Sequence, residues 1–483
     1  MKTTSFCVGT PAPAQLCSNA GLMLLASTAD AVGVADAIDA GLAEWQNPNL
    51  LHTTGNTMTS LALALALGGD DANDVDLLGP LVATGLVDQV PSDSTVHRRH
   101  KELADHDDED DRAGTTAVLA GMKTARQAAW AACGAQNPAA AASADAPLVL
   151  DLDATEILSH SDKEKAAPTW KKHYGFHPLA AIIDHGDGLT GEPAAVLLRP
   201  GNAGSNTADD HQDVLDQALA AIPNHVDGQE WGKRMLIRTD AAGGSQAFLG
   251  HLDHQGLAYS VGLPVTGQIG EIASTLGEDI KQGIIRADGT VSDTTDAYVA
   301  DITSRMHSWA GEPLGINLDK YPTDMRIIIR VEHPARGAQL RITDVDGRRV
   351  QAFVTNCPGH ANRLDALHRA RGRCEQRIRD LKDCGLGKLP HEAFGMNQAW
   401  IHAAVLAMNL ITWCGLIIAA DSAAADRRRS RWWVWEPKTL RARMLSIAAI
   451  VVRHARRTIL RFDNAAAHRE VLEHGLSRLR SIA

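Results

Sequence analysis

The sequence predicts an α/β protein: a strand-rich core interrupted by a β-rich insertion and flanked by helical N-terminal and C-terminal regions. Three observations carry this. Two apolar runs of strand length, Leu148-Val149-Leu150-Asp151-Leu152-Asp153-Ala154-Thr155 and Met235-Leu236-Ile237-Arg238-Thr239-Asp240, each close on a carboxylate. The segment between them adds two further strand patterns and a helical one, so the order is β-β-β-α-β. Beyond residue 356, strand patterns give way to helical periodicity that becomes increasingly basic.

Taken in order, apolar residues recur at helical spacing from Leu22 to Leu42, and Thr57 to Leu67 is almost continuously apolar. Asp71 to Leu78 and Pro91 to Leu103 read as two shorter helices. The second begins Pro91-Ser92-Asp93-Ser94, where Ser92 or Asp93 can accept from the free amides of the first turn. It is expected to expose Arg98, Arg99 and Lys101, as a helix entering a DNA major groove would; an ordinary surface helix has the same pattern. The acidic run 105–111 and the Ala-rich stretch Ala139 to Ala146, between Pro138 and Pro147, bound this part. Residues 1–146 are therefore assigned as a helical, DNA-binding N-terminal region.

After Leu148 to Thr155 come Phe176 to Asp184 and Ala194 to Arg199, joined around Asp187-Gly188 as a hairpin. Thr207 to Ile222 is helical, with His211, Val214, Leu215, Ala218 and Leu219 as its stripe. Met235 to Asp240 is a strand, Ser245 to His254 a helix opened by Gly243-Gly244, and Leu257 to Gly262 a strand. This is the order of the ribonuclease H-like fold, whose first and fourth strands lie side by side with acids at their ends. Residues 147–263 form the first part of that core. Residues 264–356 hold short strands (Ala297 to Ile302, Met325 to Val331, and Leu340 to Val354 folded back at Asp346-Gly347) and form an insertion expected to project away from the site. Residues 357–420 return to the core with helices Asn362 to Leu381 and Glu392 to Ala420. Residues 421–483 form a basic helical tail that includes a helix over Thr439 to Leu460. The apolar stretch Ala403 to Ala420, interrupted by Asn409 and Thr412, is read as a buried core helix.

The net charge of -11 averages over regions of opposite sign. From Asp421 onward, 14 Lys and Arg stand against 6 Asp and Glu. Arg427, Arg428, Arg429, Arg431, Arg453, Arg456 and Arg457 lie near Trp432, Trp433 and Trp435, the layout of a basic nucleic-acid arm on an acidic body. The seven cysteines include no C-x2-C pair, so neither a zinc knuckle nor a disulfide framework is indicated. The N-terminus lacks a signal-peptide layout, and a reducing cytoplasm is expected. No G-x4-G-K-[ST] motif is present, which leaves an ATP-driven mechanism without support.

Along the basic helical run His368 to Lys382, the offsets of Arg371, Glu375 and Lys382 from His368 set all four on an arc of roughly 60° at about 100° per residue. A solvated helix with Glu375 paired to Arg371 and Arg379 would look similar, each pair worth ~0.2–0.5 kcal/mol. The two strand-end acids favour a metal site instead. Three carboxylates from separate elements can hold two divalent, oxygen-preferring ions ~3.5–4 Å apart, activating water or a 3′-hydroxyl in phosphodiester chemistry. Asp153, Asp240 and Glu375 are the candidates, with Arg371 and Lys382 directed at DNA phosphates. Asp151 and Asp153 share a strand face, and spacing alone leaves both open as the first ligand; Asp153, nearer the strand end, is favoured. A rival set, His177, Asp184, His185 and Asp187, would suggest a zinc hydrolase, but no two of its histidines stand at i, i+4 on a helix.

The spacing His368-x2-Arg371-x3-Glu375-x6-Lys382 resembles the Y-x2-R-x3-E-x6-K signature of bacterial insertion-sequence DDE transposases. Asp153-Ala-Thr and Thr239-Asp240-Ala resemble the first and second catalytic segments of that group. His160-Ser-Asp-Lys-Glu, Gly175-Phe-His-Pro-Leu, Leu198-Arg-Pro-Gly-Asn-Ala-Gly-Ser-Asn-Thr and Glu436-Pro-Lys-x-Leu-Arg are similar to stretches of the insertion-sequence family numbered thirteen-eighty. The likeness is strong over about 148–260 and 360–460 and thin before residue 90. It implies cut-and-paste transposition in a bacterial cytoplasm, associated with the nucleoid and with no membrane partner. A homodimer would bind terminal inverted repeats in double-stranded DNA, cleave with two Mg2+ ions (Mn2+ being compatible), and join the 3′ ends to target DNA. His368 stands where the signature has Tyr; imidazole can also stack and hydrogen-bond, so His368 joins Arg371, Lys382, Arg98 and Arg99 as expected DNA contacts. Two readings compete: a ribonuclease H-like nuclease without strand transfer, and a DNA-binding repressor derived from an inactive element. Intact Asp153, Asp240 and Glu375 argue against the repressor.

Overall fold

The computed structural model describes residues 16–47, 49–107, 112–204, 207–224, 228–308, 318–335, 337–339, 341, 343–420, 431–454, 457–463, 466 and 468–482. The chain forms two compact units, Ala135–Arg379, and Met1–Gly134 together with Asp380–Ala483.

The unit Ala135–Arg379 is built on a nine-stranded mixed sheet. Its strands in chain order are β1 (Leu148–Ala154), β2 (Leu179–Asp184), β3 (Gly191–Leu197), β4 (Met235–Thr239), β5 (Ala258–Leu263), β6 (Gln282–Gly283), β7 (Tyr298–Asp301), β8 (Arg326–Glu332) and β9 (Arg349–Thr355). Across the sheet they lie β6-β7-β8-β9-β5-β4-β1-β2-β3. β1, β4 and β5 are parallel neighbours, and every other pairing is antiparallel. Near-continuous apolar runs such as Ile327–Ile329 are buried, as central strands covered on both faces require.

Segment 264–356 does not project away from the sheet. β9 pairs with β5, so β6 to β9 continue the same sheet past an edge that β5 would otherwise leave open. The expected hairpin over Leu340 to Val354 is reduced to β9 and an isolated bridge, Val345 to Arg348, at the Asp346-Gly347 turn.

One face of the sheet carries Val149, Leu236, Ala258, Val299, Ile328 and Phe353, closed over by Ala361 and Leu364. Helix α1 (Ala208–Ala221) packs on β2 and β3, and α2 (Gln246–His254) on α1 and β5. Helix α3 (Ala361–Arg369) lies across β6, β7 and β8, so the inserted strands seat the segment that leads to the third acid. The single helix expected over 362–381 is two: α3 ends at Arg369 and α4 (Gly372–Leu381) begins three residues later. Gly372, a poor helix former, marks the break, and Arg371 lies within it.

The other unit is mainly helical. Met23–Val32 and Val34–Gly41 are separated by Gly33 at φ 62°. Thr53 caps Thr54–Ala66 and Ser92 caps Asp93–Asp105. Ala113–Ala132 is a further helix, weakly signalled in the sequence because alanine and glycine make up much of its inner face. Phe394–Ala420 is apolar on every side and packs against the other helices of this unit. It is long and apolar enough to cross a bilayer, yet 83% of its most apolar window is buried within the protein.

The helix expected over Thr439 to Leu460 is cut short: helical turns Pro437–Leu440 and Arg441–Leu445 end before Ser446. Strands Ala449–His454 and Arg457–Phe462 form an antiparallel hairpin that continues onto Leu16–Cys17, so the C-terminal region is not all helical. Its β-branched run Ile450-Val451-Val452 alternates exposed and buried residues, the period of a half-buried strand.

Candidate active site

The site follows from strand register. Val149, Leu236 and Ala258 are partners across β1, β4 and β5, and so are Asp151, Arg238 and Ser260. Side chains two residues apart share a face, so an apolar rung is followed by a polar one on the side that α3 covers. The last β1–β4 partners are Leu152 and Thr239; one residue on, Asp153 and Asp240 reach the same edge together.

The middle rung is a buried ion network. Arg238 is buried in an apolar strand, where only acids can hold it. Its Nε and Nη2 donate to the two oxygens of Asp151 at 2.7 and 2.8 Å, its Nη2 also to Asp184 at 2.8 Å, and its Nη1 to the Leu367 carbonyl at 2.7 Å. Arg373 at the start of α4 donates to Asp184 at 2.6 Å. Burial raises the Asp151 pKa while Arg238 pulls it down, and the arginines hold Asp184 below the usual carboxylate range. Strands β1, β2 and β4 are thereby bolted to both helices. Sequence reasoning passed over Arg238, Asp184 and Arg373 in this role; the signal was an arginine inside an otherwise apolar strand, two residues before Asp240.

The outer rung is where chemistry is open. Arg371 Nη2 donates to Asp153 Oδ1 at 2.9 Å and stands 4.0 Å from Asp240 Oδ2. Asp240 caps the turn Ala241–Gly243, accepting from the Ala242 amide at 3.0 Å, and its carboxyl is half exposed. Glu375 is exposed in the first turn of α4. It makes no ion pair with Arg371 or Arg379, unlike the helix-face alternative. The Asp153 pKa is raised to about 6, chiefly by burial, with Arg371 lowering it and Asp240, Glu375 and Asp151 raising it. The two strand-end acids and Glu375 thus lie within electrostatic reach of one another. Among the described residues no three His, Cys, Asp or Glu side chains form a ready cage for a metal ion; the Arg371 guanidinium supplies the local positive charge. The donor set itself is all oxygen and crowds negative charge around a partly buried carboxylate, which suits a hard divalent cation.

His368 stacks parallel on Phe353 of β9, with ring centroids 4.4 Å apart, and bonds the Ser260 hydroxyl through Nδ1 at 2.9 Å. Burial and the neighbouring Arg371 push its pKa down to about 3, so the ring is neutral. Lys382 opens the turn Lys382–Leu386 in the other unit, beyond the end of α4 and off any continuous helix face with His368. Arg98 is exposed, but Arg99 is not: it is buried and paired with Glu102 at 2.8 Å, because positions 96, 99, 100 and 103 form the inner face of its helix. Lys101 pairs with Asp105 at 2.7 Å. In the rival zinc set, Asp184 is held by arginines and His185 Nε2 lies 3.1 Å from Glu192. Arg427, Arg428, Arg429 and Arg456 lie outside the described residues.

Among solved structures, a piggyBac transposase synaptic complex with hairpin DNA is similar to the chain at 8% identity, with 93% of this chain and 88% of that one covered and a TM-score of 0.35. No curated protein sequence matches. The family described as Transposase DDE domain group 1 matches residues 12–483, a span that takes in both units and all three candidate acids. By that match over nearly its whole length, the chain whose strand edge carries Asp153 and Asp240 belongs to the DDE transposase family.

Proposed function

We propose that this DDE transposase serves an insertion sequence of the Y-x2-R-x3-E-x6-K group, related to the family numbered thirteen-eighty. On this reading a homodimer binds the terminal inverted repeats and carries out metal-dependent cleavage and strand transfer with Asp153, Asp240 and Glu375 as the catalytic, metal-holding acids. The observation that carries the reading is the convergence of Asp153 and Asp240 on one guanidinium at the ends of adjacent parallel strands, with Glu375 on the helix that follows that arginine. The order β3-β2-β1-β4-β5, antiparallel through its first three strands and parallel through β1, β4 and β5, supports a ribonuclease H-like core.

Two Mg2+ (or Mn2+) ions, when bound, would supply Lewis-acid activation of a water or 3′-hydroxyl and stabilise charge on the leaving oxygen. The chain's own residues do the positioning. Asp151 and Arg238 keep β1 and β4 in register, so the two strand-end carboxylates stay level. The Asp240 turn fixes its carboxyl through the Ala242 amide. Arg371 offers a planar fork suited to a backbone phosphate as well as to Asp153.

The test uses a duplex carrying the element's own end. Asp153→Asn, Asp240→Asn and Glu375→Gln should each lower cleavage by orders of magnitude while end binding persists, and the losses should be non-additive, as for residues that act as a unit. A Glu375→Gln protein that still cuts would sink the assignment. Wild-type protein that cuts but never joins ends to target DNA would favour the nuclease.

A further inference from the structure

The small sheet of the helical unit leaves one edge open. Its strands lie in the order Leu16–Cys17, Ala449–His454, Arg457–Phe462. An unpaired edge is a template for a further strand, and proteins blunt it with a short strand, a proline, a bulge or an inward charge. The edge at Leu16–Cys17 is two residues long. The opposite edge, Arg457-Thr458-Ile459-Leu460-Arg461-Phe462, is six residues long, holds neither proline nor glycine and follows its neighbour without a register shift. Among the described residues no backbone group beyond that neighbour bonds to it. Thr458, Leu460 and Phe462 lie opposite Arg453, Val451 and Ala449, of which Val451 and Ala449 are buried, so they form the inner face. Arg457, Ile459 and Arg461 form the exposed outer one, and no inward charge guards the edge. Beside it lies a cavity of about 650 Å3 with Met23, Leu86, Leu460, Phe462 and Leu476 among its walls, apolar surface that the inner face of an added strand can cover.

Symmetry and charge select the incoming strand. Two copies meeting antiparallel about a two-fold axis normal to the sheet keep their inner faces on one side only if a residue on the axis faces its own copy. The centrings on Ile459 and on Leu460 overlap most of the strand. Centred on Ile459, Arg457 and Arg461 of opposite copies stand face to face, and directly opposed like charges destabilise the pairing. Centred on Leu460, Arg457 faces the exposed Asp463 of the second copy, Arg461 faces Ile459, Phe462 faces Thr458, and Leu460 faces Leu460. Each pair then joins opposite charges, an apolar side chain to the stem of an arginine, or two inner-face residues.

We infer that the chain self-associates through this edge: strands Arg457–Phe462 of two copies pair antiparallel about Leu460 and join two three-stranded sheets into one of six strands. This names the interface of the homodimer proposed above, and rests on that reading only for the dimer being the working form. The outer edge of the hairpin is thereby paired, and the two cavities beside it close on each other.

The experiment is sedimentation equilibrium of the full-length protein without DNA or divalent ions, so neither end binding nor catalysis plays a part. Arg457→Glu and Asp463→Arg change exposed side chains, and each alone sets like charges opposite one another on both sides of the axis. Each should raise the dimer Kd ~10-fold, and the double variant, which exchanges the two charges, should return it to the wild-type value. Matching circular dichroism spectra show that the fold is intact. Wild-type protein that stays monomeric overturns the pairing and leaves the edge to a strand of another protein. A dimer indifferent to both single changes overturns it too, as does one that the double change fails to restore. If the interface fails while cleavage of element ends still depends on Asp153 and Asp240, the transposase reading stands without it; if the interface holds and cleavage ignores those acids, that reading fails instead.

Discussion

Asp151 and Asp153 stand two residues apart on one strand face and have opposite environments. Asp151 is clamped by a buried arginine, whereas Asp153 faces the outer rung with one contact to Arg371. Removing one partner of a buried pair strands the other charge, so Asp151→Asn should destabilise the unit by ~3–5 kcal/mol. Asp153→Asn should stay folded and lose cleavage, and urea melts of the two proteins make the comparison. Asp153 also predicts a pH dependence. Its pKa is raised from 3.8 to about 6, so the stability linked to keeping it neutral is fully present below about pH 4 and is lost as pH rises through 6. A divalent cation can offset that loss only where the carboxylate is charged. Mg2+ should therefore raise the melting temperature more at pH 8 than at pH 5; equal shifts would count against Asp153 as a ligand.

At the scale of elements, the turn that bears Asp240 lies flat on β5 because residue 262 is glycine. A Cβ there would stand 2.6 Å from the Ala241 nitrogen and 2.8 Å from the Asp240 carbonyl carbon, and backbone cannot yield as a side chain does. Gly262→Ala should push the Asp240 turn off the sheet, with a stability cost of ~1–3 kcal/mol and a disproportionate fall in cleavage; cleavage that tracks stability alone would argue against this placement. In the helical unit, helix Asp93–Asp105 is tied down by His100, whose Nδ1 lies 2.9 Å from His391 Nε2, while His402 bonds Thr115 at 3.1 Å. Burial and neighbouring histidines hold the His100 pKa well below its ordinary value, and burial brings His402 to about 4. Both are neutral in the fold. The stability they contribute is present above about pH 6.5 and is lost as pH falls toward 4. Hydrogen exchange of this helix should accelerate over that window, and His100→Gln should blunt the effect.

Over the whole molecule, a discontinuous helical unit and a continuous sheet-based unit come from one chain. The sheet unit has its own core, reaching from Val149 and Leu236 across to Ile328 and Phe353, with α3 as its cover. A fragment spanning 135–381 should therefore unfold cooperatively on its own, with far-ultraviolet circular dichroism and denaturant melts as the readout. Deleting 264–356 from it should abolish folding, because β6, β7 and β8 are the surface on which α3 rests. A well-folded deletion variant would show that the inserted strands are an appendage after all.

Short apolar runs, carboxylates at two strand ends, helical periodicity and the spacing from His368 to Lys382 were enough for the sequence alone to point to β1, β2, β3, β4 and β5, the helices between them, and Asp153, Asp240 and Glu375 as candidates, since these signals are local. Caps such as Ser92 were legible for the same reason. What tertiary structure decided were matters of partner and side. Register set Asp151 against Arg238 and left Asp153 at the edge; no spacing rule contains the identity of a neighbouring strand. The inserted strands joined the sheet because β5 offered an unpaired edge, a fact invisible in their own residues. Arg99 turned inward because the fold decided which face of its helix is covered, the helix expected over 362–381 broke ahead of Gly372, and strands Ala449–His454 and Arg457–Phe462 paired with each other and with Leu16–Cys17. Local pattern records what a segment can form; only the fold settles which charges and edges it meets.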